Sequence, residues 1–261
     1  MRRRKAGYNT RTRLPATLQR ELSLSVRIIL VGTSHPGNIG AVARAMKNMG
    51  QNDLALVQPR YFPHADATAR ASGADDVLQQ ATVVDTLEEA LADITYVAGA
   101  SARSRSIGWP SMMPRECAER VNAEAQIGRP AVVFGPEKAG LTNEHLDLCN
   151  TLLTIPTDPG YSSLNLAMAV QVMTYELRVS GLENPEPTPI SDSPPATGQE
   201  MERFYTHLES VMTASGYLKP ETPRYLMRRL RRLFARAEPD HDEVSILRGI
   251  LGSVDPNRKR D

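Results

Sequence analysis

Short apolar runs alternate with longer amphipathic stretches along most of the chain, and this pattern begins abruptly at Val26. Apolar runs of this length, bounded by Gly and polar residues, are typical of buried strands. They predict strands over residues 26–32, 53–57, 82–84, 94–101, 131–135 and 151–156. The stretches between the runs have helical character, over residues 39–49, 65–80, 87–92, 114–126, 142–149 and 164–179.

Strands that alternate with helices of this length predict a parallel sheet with helices on both faces. We therefore predict an α/β fold of the doubly wound type for residues 26–182. Gly50 is placed to end the first helix, and Thr142 is a plausible N-cap. Because ligands of such sheets lie at the carboxyl ends of the strands, the loops there are the places to search for chemistry.

The segments that flank this region differ in composition. Residues 1–25 hold seven Lys or Arg and one acidic residue, without the apolar stretch of a secretory signal. We expect a disordered basic arm or a start assigned too far upstream, and a transit peptide is the less favoured alternative. Residues 183–199 are rich in Pro and nearly free of apolar side chains, which predicts a linker. An all-helical extension follows over residues 200–255, with a short tail at 256–261.

The helical extension contains an Arg-rich amphipathic helix. Its apolar residues fall on one side of the helix, while arginines occupy the rest of the surface. The apolar set is Leu226, Leu230, Leu233 and Phe234. Asp240 and Glu243 have the spacing of a capping box, which predicts the start of a last helix through Leu251. Three such helices would pack against each other and against the main domain or a partner.

Composition narrows the class of protein. The chain has 261 residues, of which 41% are apolar and 23% charged, as in ordinary globular proteins. No apolar run approaches the roughly 20 residues that span a bilayer, so we expect no membrane segment. The two cysteines, Cys117 and Cys149, suit a reducing cytosol and are expected to be buried. The net charge is +1, with positive charge concentrated at the two ends of the chain, as in proteins that bind phosphates or merely have a solvated basic face.

The loop after the first predicted strand combines glycines with two polar candidates, Asn38 and Arg44. It has neither a dinucleotide fingerprint nor a phosphate loop. We expect Asn38 and Arg44 to share a face near a helix start that can receive an anion. The plain alternative is a capping Asn and a surface Arg. The loop after the fourth strand, residues 98–105, is built of small residues and carries Arg103 and Arg105, which meet either phosphate or solvent.

Two further loops follow later strands. Glu137 comes two residues after an apolar strand, with glycines on both sides that indicate a tight bend, although a surface turn is the alternative. In the last loop, Ser163 is placed to cap a helix and Asn165 to lie in its first turn. Ser163 lacks the surroundings of a catalytic nucleophile. His35 is expected to be a loop residue, and no spacing indicates a metal site.

Taken together and in this order, the four loops resemble those of the SPOUT class of RNA methyltransferases, in its SpoU/TrmH branch of ribose 2′-O-methyltransferases. The matching motifs are NIGAVAR from Asn38, FGPEKAGL from Phe134, and Ile155-Pro156 followed by SLNLAMA from Ser163. SARSR from Ser101, the run YSSLNLAMAVQVMTYELR and the Arg-rich helix are similar to the TrmJ subfamily, which methylates cytidine or uridine 32 of tRNA. The resemblance covers residues 26–182 well and the last 55 or so less sharply, and leaves residues 1–25 without a counterpart.

The resemblance implies a SPOUT fold with a C-terminal trefoil knot, formed by the chain from about Ala131 onward. It also implies S-adenosylmethionine as cofactor and a homodimer whose substrate pocket combines residues of both subunits. The cofactor-binding residues implied by the motifs are Gly99, Ala100, Ser101, Ala102, Gly135, Ile155, Ser162, Ser163 and Leu164.

The resemblance further implies a division of roles among the polar residues. A guanidinium group stays protonated at neutral pH and is a poor general base, so we expect Arg44 to hold a phosphate and orient the ribose hydroxyl. The residues expected to fix Arg44 and the target nucleotide are Asn38, Glu137, Ser163 and Asn165. The expected RNA-binding residues are Arg103, Arg105, Arg228, Arg229, Arg231 and Arg232.

The sequence thus predicts a cytoplasmic tRNA 2′-O-methyltransferase. One alternative is the same chemistry on ribosomal RNA or at another tRNA position, because the four loops serve cofactor and ribose. A second alternative is a catalytically silent RNA-binding dimer of the same fold. The presence of Asn38, Arg44, Glu137 and Asn165 favours the enzyme over the silent relative.

Overall fold

The computed structural model describes residues 26–101, 110–183, 193–218 and 223–256. Within these residues, seven parallel strands form one sheet in the order β3-β2-β1-β6-β4-β7-β5. The strands are β1 (Arg27–Val31), β2 (Leu54–Val57), β3 (Thr82–Val84), β4 (Tyr96–Ala100), β5 (Ser111–Met112), β6 (Pro130–Phe134) and β7 (Thr151–Leu153). The six predicted strands are confirmed, and the two-residue β5 is the one that the apolar pattern misses.

Ten helices accompany the sheet in the described part of the chain. They are α1 (Pro36–Asn48), α2 (Ala65–Ala71), α3 (Asp75–Gln79), α4 (Leu87–Ala90), α5 (Pro114–Glu124), α6 (Asn143–Leu146), α7 (Leu166–Glu183), α8 (Gly198–Ala214), α9 (Pro223–Ala237) and α10 (His241–Val254). None of them is both long and apolar enough to cross a membrane.

The helix boundaries follow local chemistry. Helix α1 begins at Pro36, three residues before the predicted start, because Pro suits the first helical position, where its missing N–H is not needed. The predicted helix over residues 65–80 is wrong in being continuous. It is divided into α2 and α3 at Ser72 and Gly73, which have φ angles of 49° and 91°, in the left-handed region that ends helices.

Alternation of side chains along β1 explains the two layers of the core. Ile28 and Leu30 contribute to a cluster on one face of the sheet with α1, α2, α3, α5 and α7. Ile29 and Val31 contribute to a second cluster on the opposite face, with α4 and α6. Successive residues of a strand point to opposite faces, so a continuous apolar run is what a sheet covered on both sides requires. The predicted doubly wound α/β fold is confirmed.

Close packing of α1 against α2 depends on Gly40. A Cβ atom at this position would lie 2.0 Å from the carbonyl oxygen of Ala67. We expect Gly40→Ala to destabilise the protein by about 1–3 kcal/mol in urea unfolding, since the two helices would have to separate. The matched control is Gly249→Ala in α10, where a Cβ meets nothing within 4 Å and a gain of about 0.5–1 kcal/mol is expected. Equal stabilities of the two variants would contradict this packing.

The last three helices form a unit with its own apolar cluster. Phe204 packs edge-on against Phe234, with ring centroids 4.8 Å apart. Leu226 and Leu230 contact the same cluster, while Leu233, on the same side of the helix, is 48% exposed. It lies at the edge of the apolar arc of α9. The capping box of α10 is confirmed, since the Asp240 side chain accepts from the Glu243 amide at 2.8 Å.

The predicted linker reaches too far at both of its ends. Glu183 is the last residue of α7, and Gly198 is the first of α8. Of the residues between them, 184–192 lie outside the described residues, and Pro195 pairs with Asp240 in an antiparallel bridge. The Gly198 amide donates to the Ile94 carbonyl oxygen at 2.7 Å, which ties this unit to the sheet domain.

Candidate active site

The loops singled out in the sequence meet at one edge of the sheet. Strands β1, β6, β4 and β7 are neighbours and run parallel, so their carboxyl ends lie side by side. The segments that follow these strands carry Asn38, in the first turn of α1, and Glu137, Ser101 and Asn165 in loops. Residues far apart in sequence are therefore assembled by topology, as expected for the carboxyl edge of an open α/β sheet.

Glu137 is the centre of the polar network at this edge. Its Oε2 accepts hydrogen bonds from the Ser34 amide at 3.1 Å and the Ser34 hydroxyl at 2.9 Å. Its Oε1 accepts from the Asn38 amide group at 2.9 Å and from the backbone N–H of His35 at 3.3 Å. Four donors on one carboxylate fix the loop after β1 to the loop after β6. The participation of Ser34 is not predicted by the sequence, because a small polar residue in a loop carries no distinguishing pattern.

Asn38 and Asn165 extend this network to the third loop. The Asn165 amide group donates to Oδ1 of Asn38 at 3.1 Å, while the amide group of Asn38 donates to Glu137. Oδ1 of Asn165 accepts from the Ala167 amide at 2.9 Å. Asn165 therefore caps α7, and the expectation that Ser163 does so is wrong, since the helix begins at Leu166.

The Glu137 carboxylate is held in its charged form. Burial raises the pKa of this carboxyl group. Hydrogen bonds from Asn38, from the Glu137 amide and from Ser34 lower it by more, so that the resulting pKa is about 2. At neutral pH this side chain is an acceptor only. It is therefore suited to orient donors and unsuited to deliver a proton.

A cavity of about 240 Å³ lies beside the network. It is bordered by the ends of β4, β6 and β7 and by the loop before α7. Most of the residues predicted to hold the cofactor line it, namely Ala100, Ser101, Gly135, Ile155, Ser162, Ser163 and Leu164. Ala102 lies outside the described residues.

Gly135 shapes one wall of this cavity. A Cβ atom there would lie 2.3 Å from the Gly140 carbonyl carbon and from the Leu141 amide nitrogen. The loop closes on itself through a hydrogen bond from the Gly140 amide to the Pro136 carbonyl oxygen at 2.8 Å. The predicted tight bend around Glu137 is confirmed. Gly135 is required by this close approach of backbone to backbone, and Gly140 by its φ angle of 66°, in the left-handed region.

Gly99 belongs to packing, away from the cavity. A Cβ atom at Gly99 would lie 2.7 Å from the Cys149 sulfur and 3.3 Å from side chains of Leu141 and Leu146. The residue therefore lets the sheet approach α6, and the cofactor role predicted for it has no support in this geometry. Both cysteines are buried, as predicted, and burial raises the pKa of the Cys117 and Cys149 thiols to about 12.

Within one chain, Arg44 does not belong to the hydrogen-bonded network of Glu137, Asn38 and Asn165. It is exposed on α1 and makes no hydrogen bond or ion pair with another described residue. Six residues of helix correspond to about 600° of rotation, so Asn38 and Arg44 point about 120° apart. The expectation that they share a face is wrong.

The arginines expected to bind RNA divide into two groups. Arg228 forms an ion pair with Asp147 at 2.6 Å, and Arg231 forms a two-pronged ion pair with Glu202 and stacks on Tyr205. Arg228 therefore joins the helical extension to the sheet domain, and Arg231 joins two helices within the extension. Arg229 is exposed and lies over the ring of Tyr225, and Arg232 is half-buried. Arg103 and Arg105 lie outside the described residues.

Comparison with known proteins agrees with this fold. Residues 25–175 match the sequence model of the SpoU rRNA methylase family, and residues 199–261 match that of the TrmJ tRNA methyltransferase C-terminal domain. The fold and the loops thus define a methyltransferase of the SPOUT class.

Relatives that match most of this chain bear the names of tRNA 2′-O-methyltransferases. A tRNA (cytidine/uridine/adenosine-2′-O-)-methyltransferase TrmJ of Pseudomonas aeruginosa is 52% identical to this chain. The match covers 87% of this chain and 92% of the length of that relative. A tRNA (cytidine/uridine-2′-O-)-methyltransferase TrmJ of Photorhabdus laumondii is 49% identical, over 90% of this chain and 99% of the length of that relative. The crystal structure of TrmJ from Z. mobilis superposes with a TM-score of 0.78 at 38% identity, over 88% of this chain and 98% of that one. The chain therefore belongs to the SpoU methylase family and, within it, to the TrmJ methyltransferases.

Proposed function

We propose that this protein transfers a methyl group from S-adenosylmethionine to the 2′-hydroxyl of a ribose in tRNA. We further propose nucleotide 32 of the anticodon loop as the target, occupied by C, U or both. The observation that carries the proposal is the hydrogen-bonded chain Glu137–Asn38–Asn165, whose Glu137 lines the cavity, in a chain related to tRNA 2′-O-methyltransferases. The names of the relatives, which specify tRNA and the 2′-oxygen, support the substrate.

The cavity suits the cofactor in its chemistry. Ile155 and Leu164 offer apolar contacts for an adenine ring, and the small residues Ala100 and Gly135 allow close approach to the backbone. Its volume of about 240 Å³ lies just below the range of roughly 300–1,000 Å³ that is common for small-molecule sites. When bound, S-adenosylmethionine supplies a methyl group on a positively charged sulfur, an electrophile that needs no metal or covalent intermediate.

The residues of this chain then have a positioning task. A ribose oxygen must lie in line with the methyl carbon and the sulfur, and such alignment supplies much of the rate acceleration in transfers of this type. Glu137 holds Asn38, and Asn38 holds Asn165, so the three loops that border the reacting atoms are fixed relative to one another. Ser163 is exposed at the cavity, where its hydroxyl is available to the nucleotide.

Arg44 is proposed to complete the site of a second subunit. Within one chain it contacts no member of the network, yet it is exposed on the helix that carries Asn38. In a homodimer whose pockets combine both subunits, the Arg44 guanidinium would grip the phosphate next to the target ribose and orient its hydroxyl. The positive charge of a guanidinium group favours a phosphate contact, and such a group, which stays protonated at neutral pH, is a poor general base.

The direct test is nucleoside analysis of tRNA after incubation with purified protein and isotope-labelled S-adenosylmethionine. We expect label in 2′-O-methylcytidine or 2′-O-methyluridine. Label in base-methylated nucleosides would contradict the proposal. Label in ribosomal RNA and none in tRNA would favour the alternative substrate, and the absence of any transfer despite RNA binding would favour the silent RNA-binding dimer. A tRNA substrate and the two buried free thiols also support action in the cytoplasm.

A further inference from the structure

The loop between β2 and α2 carries an exposed cluster of cationic and aromatic side chains that the proposed reaction leaves unexplained. The Arg60 guanidinium lies over the ring of Tyr61, 5.2 Å from its centroid. The Tyr61 ring lies 6.5 Å from the ring of His64. Arg60, Tyr61 and His64 are all exposed. An exposed tyrosine ring combined with arginines is the surface chemistry that binds unpaired nucleotides.

This cluster adjoins the candidate active site. The Arg60 amide donates to the Thr33 carbonyl oxygen at 3.0 Å, and Thr33 immediately precedes Ser34, a donor to Glu137. On the other side, the Arg70 side chain approaches Gly37, where a Cβ atom would lie 3.6 Å from its Cγ. Gly37 precedes Asn38 in the first turn of α1, so Arg60 and Arg70 both adjoin the segment that leads from β1 into α1.

The cluster is held rigidly. Helix α2, which carries Arg70, packs against α1 at Gly40 so closely that a Cβ atom there would meet the Ala67 carbonyl oxygen at 2.0 Å. His64 caps α2, because its Nδ1 accepts a hydrogen bond from the Asp66 amide at 3.1 Å. A surface fixed in this way loses little conformational entropy when it binds a ligand.

Charge on this surface is available to a partner. Neither Arg60 nor Arg70 makes an ion pair with a carboxylate of the described residues, and the acid closest in sequence, Asp66, lies 3.8 Å from His64. In contrast, Arg228 and Arg231, which the sequence favours as RNA ligands, are paired with carboxylates. Unpaired guanidinium groups next to a ribose-binding site complement an anionic backbone.

We infer that Arg60, Tyr61 and Arg70 form an RNA-binding surface that receives the strand flanking the target nucleotide. The two guanidinium groups contact backbone phosphates, and the Tyr61 ring stacks on an unpaired base. The inference rests on the proposed function, since it requires RNA as the substrate. This surface would be a contact region on the sheet domain itself, in addition to the arginines of the helical extension.

The test is tRNA binding by the full-length protein, measured between 50 and 200 mM KCl. Arg60→Gln and Arg70→Gln are compared with Lys47→Gln, which removes the same charge near the far end of α1, where Lys47 pairs with Asp76. Each lost phosphate contact reduces the slope of log affinity against log salt concentration by about 0.7–0.9. The loss of affinity between 50 and 200 mM KCl is then about 3-fold smaller for the variant than for the wild type. We expect this reduction for Arg60→Gln and Arg70→Gln, and an unchanged slope for Lys47→Gln.

Tyr61 is tested separately from charge. Tyr61→Leu is expected to weaken binding by about 5-fold or more at every salt concentration without a change of slope, while Tyr61→Phe keeps the ring and the affinity. Unchanged slopes in both arginine variants, with methyl transfer by the wild type intact, would overturn this surface alone. If the wild type neither binds nor methylates tRNA, the proposed function itself fails. Thermal melts verify that each variant is folded.

Discussion

Replacement of Arg44 by Ala is expected to leave the binding of S-adenosylmethionine unchanged and to reduce turnover by about 100-fold or more. The side chain is exposed, makes no hydrogen bond or ion pair with a described residue and does not line the cavity, so its removal leaves the fold and the cavity intact. Its proposed task is to orient the nucleotide, and that task matters only in the reaction. Calorimetry measures cofactor binding, and single-turnover kinetics measure the transfer step.

Two control variants bracket this prediction. Lys47→Ala removes a neighbouring exposed charge of α1 and should leave turnover within a few-fold of normal. Arg44→Lys keeps the charge but loses the planar two-pronged grip on a phosphate, so an intermediate rate is expected. Turnover of Arg44→Ala within a few-fold of the wild type would refute the role of Arg44.

Mixed dimers test whether Arg44 serves the opposite subunit. Arg44→Ala and Asn165→Ala are each expected to be inactive alone. If a site combines the cavity of one subunit with Arg44 of the other, random mixing restores about a quarter of wild-type activity, since half of the dimers then hold one complete site. If the site is built within one chain, mixing restores nothing.

Replacement of Glu137 by Gln is expected to lower turnover by about 10- to 100-fold, because misplacement of reacting groups by about an ångström costs this much. The carboxylate accepts from Ser34, His35 and Asn38, and an amide group would present hydrogens to some of these donors. The loops after β1 and β6 would therefore separate. Glu88→Gln, at an exposed acid of α4, is the matched control and should retain full activity.

The same substitution changes the response to acid. The folded-state pKa of Glu137 is lowered to about 2 from an ordinary value of 4.5, so folding favours the ionised form. The stabilisation by this group is present above pH 4.5 and is lost as the pH falls from 4.5 toward 2. Between pH 4.5 and pH 2, the free energy of unfolding of the wild type should therefore fall by more than that of Glu137→Gln. Parallel pH profiles of the two proteins would contradict the hydrogen-bonded carboxylate.

The sheet could be predicted from sequence because each buried strand is a continuous apolar run, as in Arg27–Val31 and Pro130–Phe134. Strand β5 could not, since two residues carry no periodicity. The break between α2 and α3 depends on left-handed backbone at Ser72 and Gly73, which an Ala-rich helical pattern conceals.

The candidate site was predicted in part. Glu137, Asn38 and Asn165 stand in loops at the ends of parallel strands, and the topology of such sheets brings those loops together. The packing of Gly99 is not evident from sequence, because a small residue at a strand end has the same appearance whether it admits a ligand or a neighbouring side chain. The ion pairs of Arg228 and Arg231 depend on the docking of the helical extension, which no local pattern encodes.

The most direct test of the central claim is a map of 2′-O-methyl groups in tRNA from cells with and without this protein, with reintroduced wild type and Arg44→Ala as controls. The account predicts that methylation of the ribose at nucleotide 32 disappears in the deletion strain, returns with the wild type and stays absent with Arg44→Ala. An unchanged map in the deletion strain, or the loss of a base methylation in place of a ribose methylation, would contradict it.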